Sequence, residues 1–347
     1  MSSLLQSLIQ DQPIPAVTWQ ELAAQVLNDR DRAQAFGIKA ENVSSQVQRR
    51  AELLRAVYPA FCEFSQRLGG QPHDYLNTLW ELWLPLALDL VTHRQSLQHP
   101  LVQGILGGQG TGKTTLGAVL TLILQHLGYQ TLSLSLDDLY KTYIDRLQLQ
   151  LQDPRLIWRG PPGTHDVELG IQVLDQLRQP IPGQPILIPR FDKSLHHGAG
   201  DRIAPDSVSD IDIILFEGWF VGVQPIDPAL FATAPPPILT ETDRAFAREM
   251  NTQLHHYLPL WERCDRLIVL APVDYRLSKQ WRLQAEQQMI ASGKSGMSEA
   301  EIDAFVDYFW RALHPELFIP PLLQQADLVI EIQPDHSPSA VYGRKVE

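Results

Sequence analysis

Cysteine is nearly absent from this chain. Cys62 and Cys264 are the two among 347 residues, too few for a disulfide framework and suited to a reducing cytosol. Positive charge is scarce too. Lys and Arg number 28 against 40 Asp and Glu, a net charge of −12, which argues against a nucleic-acid or membrane-surface partner, since either needs a basic face. No apolar run is long enough to cross a bilayer. The first residues, Met1-Ser2-Ser3-Leu4-Leu5-Gln6, hold neither a basic region nor an Arg-rich presequence, so a cytoplasmic location is expected. Residues 1–100 contain no glycine loop and little strand signal. Their apolar positions recur at helical spacing around Leu22–Leu27, Val47–Val57 and Leu76–Leu90, with Trp80 and Trp83 on one helical face, so this region reads as a helical extension.

What is present is concentrated at Gly107-Gly108-Gln109-Gly110-Thr111-Gly112-Lys113-Thr114, which fits the phosphate-binding pattern G-x-x-x-x-G-K-[ST]. The apolar run Leu101–Leu106 before it reads as a buried strand. The stretch after it reads as a helix, with Leu116, Val119, Leu120, Ile123 and Leu127 at helical spacing. Glycines let the backbone curl so that several N–H groups face one anion, and the helix start adds its positive dipole end. Gly107 through Thr115 are the candidate triphosphate contacts: Lys113 for the β- and γ-phosphates, the Thr114 hydroxyl for Mg2+.

From residue 101 onward, strands are expected at 101–106, 130–136, 185–190, 211–216, 266–271 and 327–332. Helices are expected at 115–127, 166–178, 241–257, 274–291 and 298–313. This alternation predicts an α/β, three-layer P-loop NTPase-type fold with a mostly parallel sheet. The expected division is a helical extension over 1–100 and a kinase-like domain over 101–347, with a lid around 274–297.

Ligands of such sheets lie beyond the carboxyl ends of the strands, so the residues there carry the chemistry. Asp137 and Asp138 follow the second strand. Either could orient an acceptor hydroxyl and take its proton, with Asp137 favoured, or could support Mg2+ or cap a helix. Glu217, at the tip of the strand 211–216, is a candidate for holding Mg2+ or its water. Together, Thr114, Asp137 and Glu217 are the candidate metal contacts. Arg190, Lys193 and Arg202 place three cations on one stretch of an acidic chain, which suits a small anionic substrate. Asp138, Tyr140 and, more weakly, His165 are further candidate substrate contacts. The turn Arg159–Asp166 is equally readable as a substrate wall or as a helix start. Arg276, Lys279 and Arg282 share a helical face, either an ordinary polar face or a lid bringing positive charge to a transferring phosphoryl group. His196 and His197 have no third ligand at metal spacing.

The phosphate loop, the Ser135-Leu136-Asp137-Asp138-Leu139-Tyr140 turn and Phe216-Glu217-Gly218 resemble the P-loop kinases that include uridine kinase, phosphoribulokinase and bacterial pantothenate kinase. Within that group several stretches are similar to the plant and cyanobacterial type of D-glycerate 3-kinase. They are Trp158–Asp166, Pro189–Ser194, Gly200-Asp201-Arg202, Phe216–Trp219, Trp281–Glu286 and Gly293–Ser298. The resemblance implies that ATP and Mg2+ phosphorylate D-glycerate to 3-phosphoglycerate, the last step of photorespiratory carbon salvage. It implies Asp137 as the base, Glu217 near metal and substrate, and Arg276 and Arg282 as lid cations. A nucleoside or pantothenate-like alcohol as acceptor, or a nucleotide-binding module without kinase activity, are the alternatives.

Overall fold

The computed structural model describes residues 2–10, 14–67, 70–291 and 296–344. Its centre is a six-stranded sheet, ordered β2-β5-β1-β6-β7-β8. The strands are β1 (Leu101–Gly107), β2 (Thr131–Ser135), β5 (Ile213–Gly218), β6 (Arg266–Pro272), β7 (Leu328–Ile332) and β8 (Pro338–Gly343). All neighbours pair in parallel except β7 and β8. Every residue of β1 is buried, as a central parallel strand covered on both faces requires. Three aspartates secure the entry ends of the strands. Asp212, Asp265 and Asp327 accept the main-chain N–H groups of Gln130, Val102 and Leu267 at 3.0, 2.8 and 2.7 Å.

Successive strand residues face opposite sides, and two cores result. Leu101, Ile105, Ile213, Leu215, Ile268 and Leu270 enter one, while Val102, Leu106, Ile214, Phe216 and Val269 enter the other. The first core is completed by the helix Lys113–His126 and by residues of the N-terminal helices, among them Ser2–Ile9, Ala16–Asn28, Val43–Arg67 and Leu84–Ser96. In Val43–Arg67 the apolar residues Val43, Val47, Ala51, Leu54, Val57 and Phe61 recur every three or four positions and are all buried. Trp80 is fully buried and Trp83 nearly so. Each such side chain contributes on the order of 2 kcal/mol of burial. An ion pair of 2.6 Å between Arg266 of β6 and Asp89 ties the helices to the sheet.

Several elements differ from the sequence reading, β8 among them, which was not expected. The expected strand at 185–190 is β3 (Ile186–Asp192), but it leaves the main sheet and pairs antiparallel with β4 (Asp201–Val208). β4 was invisible in the sequence because it is mostly exposed and polar, without the alternation of a half-buried strand. The helix Pro315–Leu323, not among the expected elements, carries Pro320 and Pro321 in its interior, where proline disfavours a helix. The helix Tyr143–Gln152 was not among the expected elements, although Ile144, Leu147 and Leu151 recur at helical spacing; it buries none of its residues.

Candidate active site

β1 ends at Gly107, and the helix Lys113–His126 starts after five intervening residues. Between them the chain turns through left-handed backbone at Gly110 (φ +78°) and Gly112 (φ +87°), which disfavours any side chain. A Cβ at Gly107 would lie 2.4 Å from the Thr111 hydroxyl. The Lys113 ammonium donates to the carbonyls of Gly107 (2.6 Å) and Gly108 (3.0 Å). Burial lowers its pKa, and the charges of Glu217 and Asp137 oppose that shift. The cradle therefore has the backbone and the cation that a triphosphate needs.

Parallel pairing sets Glu217 level with Ile105 on one side and Ser135 on the other. The Thr114 hydroxyl donates to the Glu217 carboxylate at 3.2 Å. Burial raises the Glu217 pKa, against the pull of Lys113. Two hard oxygen donors beside a phosphate cradle fit Mg2+, which takes few protein ligands and otherwise water and phosphate oxygens. Among the described residues no group of three or more His, Cys, Asp or Glu forms a metal cage.

Beyond β2 the chain makes a single 3-10 turn, Leu136–Leu139. It is closed reciprocally: the Ser135 hydroxyl accepts the Asp137 N–H (3.2 Å), and the Asp138 carboxylate accepts the Ser135 N–H (3.0 Å). This turns Asp137 toward the cradle, where Lys193 pairs with it at 2.6 Å. Burial alone would raise the Asp137 pKa, but Lys193 and the Tyr140 hydroxyl hold it below the usual carboxylate range.

The remaining sequence candidates divide into two groups. Arg190 pairs with Asp138 (3.0 Å) and Asp206 (2.6 Å) and donates to the Ser133 carbonyl. Arg202 donates to the Tyr140 carbonyl (2.8 Å) and pairs with Asp166 (2.9 Å), the N-cap of the helix Val167–Arg178. Both arginines are thus committed to bracing the β3–β4 hairpin against the site, and Asp138 is committed with them. Lys193 is 60% exposed and bonds the site itself.

His165, read from the sequence as a weak source of charge, is not a cation. It is 2% exposed, stacks on Tyr140 at 4.5 Å, and burial pushes its pKa down to about 3. The Tyr257 hydroxyl accepts the Gly163 N–H (2.9 Å) and shares a hydrogen bond with His165 Nδ1 (2.8 Å). The other ring nitrogen, Nε2, has no partner among the described residues. Arg159 donates to the Gly198 carbonyl.

No family model matches this chain. It is 32% identical over 249 residues to D-glycerate 3-kinase, chloroplastic, of Arabidopsis thaliana, covering 68% of this chain and 53% of that protein. It is 30% identical over 220 residues to the uncharacterized kinase mug58 of Schizosaccharomyces pombe, covering 60% of this chain and 78% of that protein. The solved D-glycerate 3-kinase from Cryptococcus neoformans superposes with a TM-score of 0.67 at 28% identity, covering 74% of this chain and 96% of that one.

The chain belongs to the P-loop kinase family that includes D-glycerate 3-kinase. It spans about half the length of the Arabidopsis relative. The helix Leu277–Ala291, within the segment read as a lid, lies against the cradle. Residues 292–295 of that segment lie outside the described residues, and with them Gly293, Lys294 and Ser295 of one matching stretch. Trp281 meets the cradle at Gly110. It is 2% exposed, donates to the Pro334 carbonyl at 3.0 Å and stacks on His336 at 4.7 Å. A Cβ at Gly110 would come 2.6 Å from the Trp281 Cβ. Sequence reasoning missed both rings because their contact joins segments 55 positions apart; a tryptophan inside a polar helix beside the phosphate loop was the available signal.

The lid cations face elsewhere in this structure. Arg276 pairs with Asp274 (3.2 Å) and Glu316 (3.5 Å), Lys279 with Asp303 (3.1 Å) and Asp307 (2.9 Å), and Arg282 with Glu286 (2.5 Å). They do share a face, but it is the one turned to the helices Glu299–Ala312 and Pro315–Leu323. A cavity of about 490 Å3 opens beside Gly108 and Gln109, lined by Trp219, Phe220, Phe309 and Trp310 among others.

Proposed function

We propose that the protein is an ATP-dependent kinase that transfers the γ-phosphoryl group to a hydroxyl of D-glycerate, giving 3-phosphoglycerate and ADP. One observation carries the reading. Lys113, Glu217, Asp137 and Lys193 form a single electrostatic cluster at the tips of β1, β5 and β2, next to the phosphate cradle. The relatives named above as D-glycerate 3-kinases supply the acceptor.

In this reading the amides of Gly108–Thr115 and the Lys113 ammonium hold the phosphates in line with the acceptor. Asp137 orients the acceptor hydroxyl and takes its proton. Thr114 and Glu217, with Asp137 nearby, would hold Mg2+, which neutralises phosphate charge when bound. Arg276 is 62% exposed and its ion pairs are surface pairs, so its release toward the phosphoryl group costs little; Arg282 would follow with the same helix. The segment 274–297 then acts as a lid that keeps water from the transferring group. Residues 1–100 serve as a buttress for the sheet of the kinase domain at 101–347. No helix among the described residues is long and apolar enough to cross a membrane. Two unpaired thiols suit the cytoplasmic setting proposed here, with photorespiratory glycerate salvage as the role.

The test is ADP release with ATP and Mg2+ over a panel of alcohols, with the product of D-glycerate identified by 31P NMR. The expected result is stimulation by D-glycerate. The apolar cavity beside Gln109 favours a second reading, a bulkier and less polar alcohol such as a nucleoside or a pantothenate-like compound. Stimulation by one of those and none by D-glycerate would replace the first reading.

A further inference from the structure

Deepening the glycerate-kinase reading, on which it rests, we propose that Lys193 makes the acceptor's carboxylate a condition of turnover. Without acceptor its ammonium caps Asp137, and the acceptor's carboxylate draws it off and frees the base.

The cations around Asp137 are not equivalent. Lys113 is bonded to two cradle carbonyls. Arg190 and Arg202 are each fixed between acids and main-chain carbonyls of the hairpin brace. Arg146 donates to the carbonyls of Ala199 and Gly200, and Arg159 to that of Gly198. Lys193, on the turn after β3, is bonded to Asp137 alone among the described residues, at 2.6 Å, and most of its side chain is in solvent. A lysine carries a point charge on a flexible stem, so it can change partners without disturbing the backbone.

The cap has a chemical consequence. Lys193 sits on Asp137 Oδ2, an oxygen that the acceptor hydroxyl would need, so the capped carboxylate is not free to receive that hydroxyl. A carboxylate on the acceptor offers Lys193 the same charge as Asp137 does, so the ammonium moves from one acid to another with no loss of pairing. Asp137 then keeps the Tyr140 hydroxyl and gains the acceptor hydroxyl. In the step that follows, the acceptor O–H bond breaks and its proton goes to Asp137. The acceptor oxygen bonds to the γ-phosphorus, and the bond from that phosphorus to the bridging oxygen breaks with its electron pair leaving on ADP. An uncharged polyol has nothing to exchange for the ammonium and meets a base still capped.

The experiment compares kcat/KM for D-glycerate and for glycerol, with ATP and Mg2+, in wild type, Lys193→Met and Lys193→Arg. Lys193→Met is expected to lower kcat/KM for D-glycerate by about 10- to 100-fold, the scale of a lost charge-assisted contact. Glycerol turnover is expected to hold or rise, because its base is no longer capped. Lys193→Arg, which keeps the charge, should keep most of the preference and shows that the position tolerates change. An equal fall on both substrates, or an unchanged preference, overturns the proposal while leaving the kinase reading in place. Wild-type protein inactive on D-glycerate overturns the kinase reading and this inference with it.

Discussion

Replacing Asp137 with Asn separates a catalytic from an architectural carboxylate. The substitution keeps the shape of the side chain. The turn that carries it is held by the Asp137 main-chain N–H, not its carboxylate, so the backbone should stay in place. What is lost is one negative charge and one basic oxygen. Lys193, the ion-pair partner, is 60% exposed and can return to water, so the stability change should be below about 1 kcal/mol. The chemical step should suffer far more. Loss of a general base lowers kcat by about 10²- to 10⁴-fold, which corresponds to roughly 2.7–5.4 kcal/mol of barrier. ATP affinity should hold or tighten, because a negative charge leaves the surroundings of Lys113. The assays are steady-state ADP release with D-glycerate, calorimetric titration with ATP, and a thermal melt. A kcat within about threefold of wild type, or a drop in melting temperature that accounts for the lost activity, would refute the assignment of Asp137 as the base.

Lys113→Met should lower kcat by about 10²- to 10³-fold, the scale of one lost oxyanion contact, with little change in melting temperature; retained kcat would remove the cradle from the chemistry. Gly112→Ala meets no atom within 4 Å but must hold φ near +87°, a strain of about 1–2 kcal/mol. Gly110→Ala adds a Cβ 2.6 Å from the Trp281 Cβ and should melt lower still, whereas equal melting of the two variants would mean that Trp281 does not dock on the loop. His165 gives a pH signature. The unfolded chain binds its proton below about 6.5, while the buried ring stays neutral down to about 3. Its stabilisation is therefore complete above pH 6.5 and is lost as the pH falls toward 3, amounting to about 2 kcal/mol between pH 7 and 5. His165→Gln should flatten that part of the difference in urea midpoints between the two pH values, and an identical slope in both proteins would place His165 in water.

The parts of the site that follow from neighbouring residues were legible in the sequence. The glycine loop, the apolar run before it and the helical spacing after it lie within thirty positions of one another, and their geometry is local. So is the capped turn that presents Asp137, and the acid at the end of β5. Parallel strands covered on both faces read as apolar runs, which is why β1, β5, β6 and β7 were found. What needed the fold is the partnering of charges. Arg190, Lys193 and Arg202 look alike as a cluster in the sequence. The register of β3 on β4, which places Arg190 near Asp206, decides that two of them are bracing residues. The common face of Arg276, Lys279 and Arg282 was equally readable, but periodicity cannot say which neighbour a face meets. Trp281 and His336 belong to the same class, brought together only by the turn after β7.

This division of labour among the cations also bears on how, in the proposed reaction, an acidic protein would handle two anionic substrates. The arginines beside the site are planar forks held at several points, and a fork held on two sides cannot follow a moving charge. They fix the hairpin and the Asp137 turn in register. In the proposed function the positive charge that meets ligands is left to two lysines, one for the phosphates and one beside the base. Each is paired in the absence of ligand, Lys113 with loop carbonyls and Lys193 with Asp137. Neither is therefore a bare cation that would bind any passing anion, and each can release its internal partner to a ligand that offers an equivalent one. Selectivity in such a site comes from what a ligand can replace: phosphate oxygens for the loop carbonyls, and a carboxylate for Asp137. A neutral alcohol satisfies the first lysine only through ATP and the second not at all, so discrimination between glycerate and glycerol should appear mainly where Lys193 exchanges partners, with the phosphate cradle contributing equally to both.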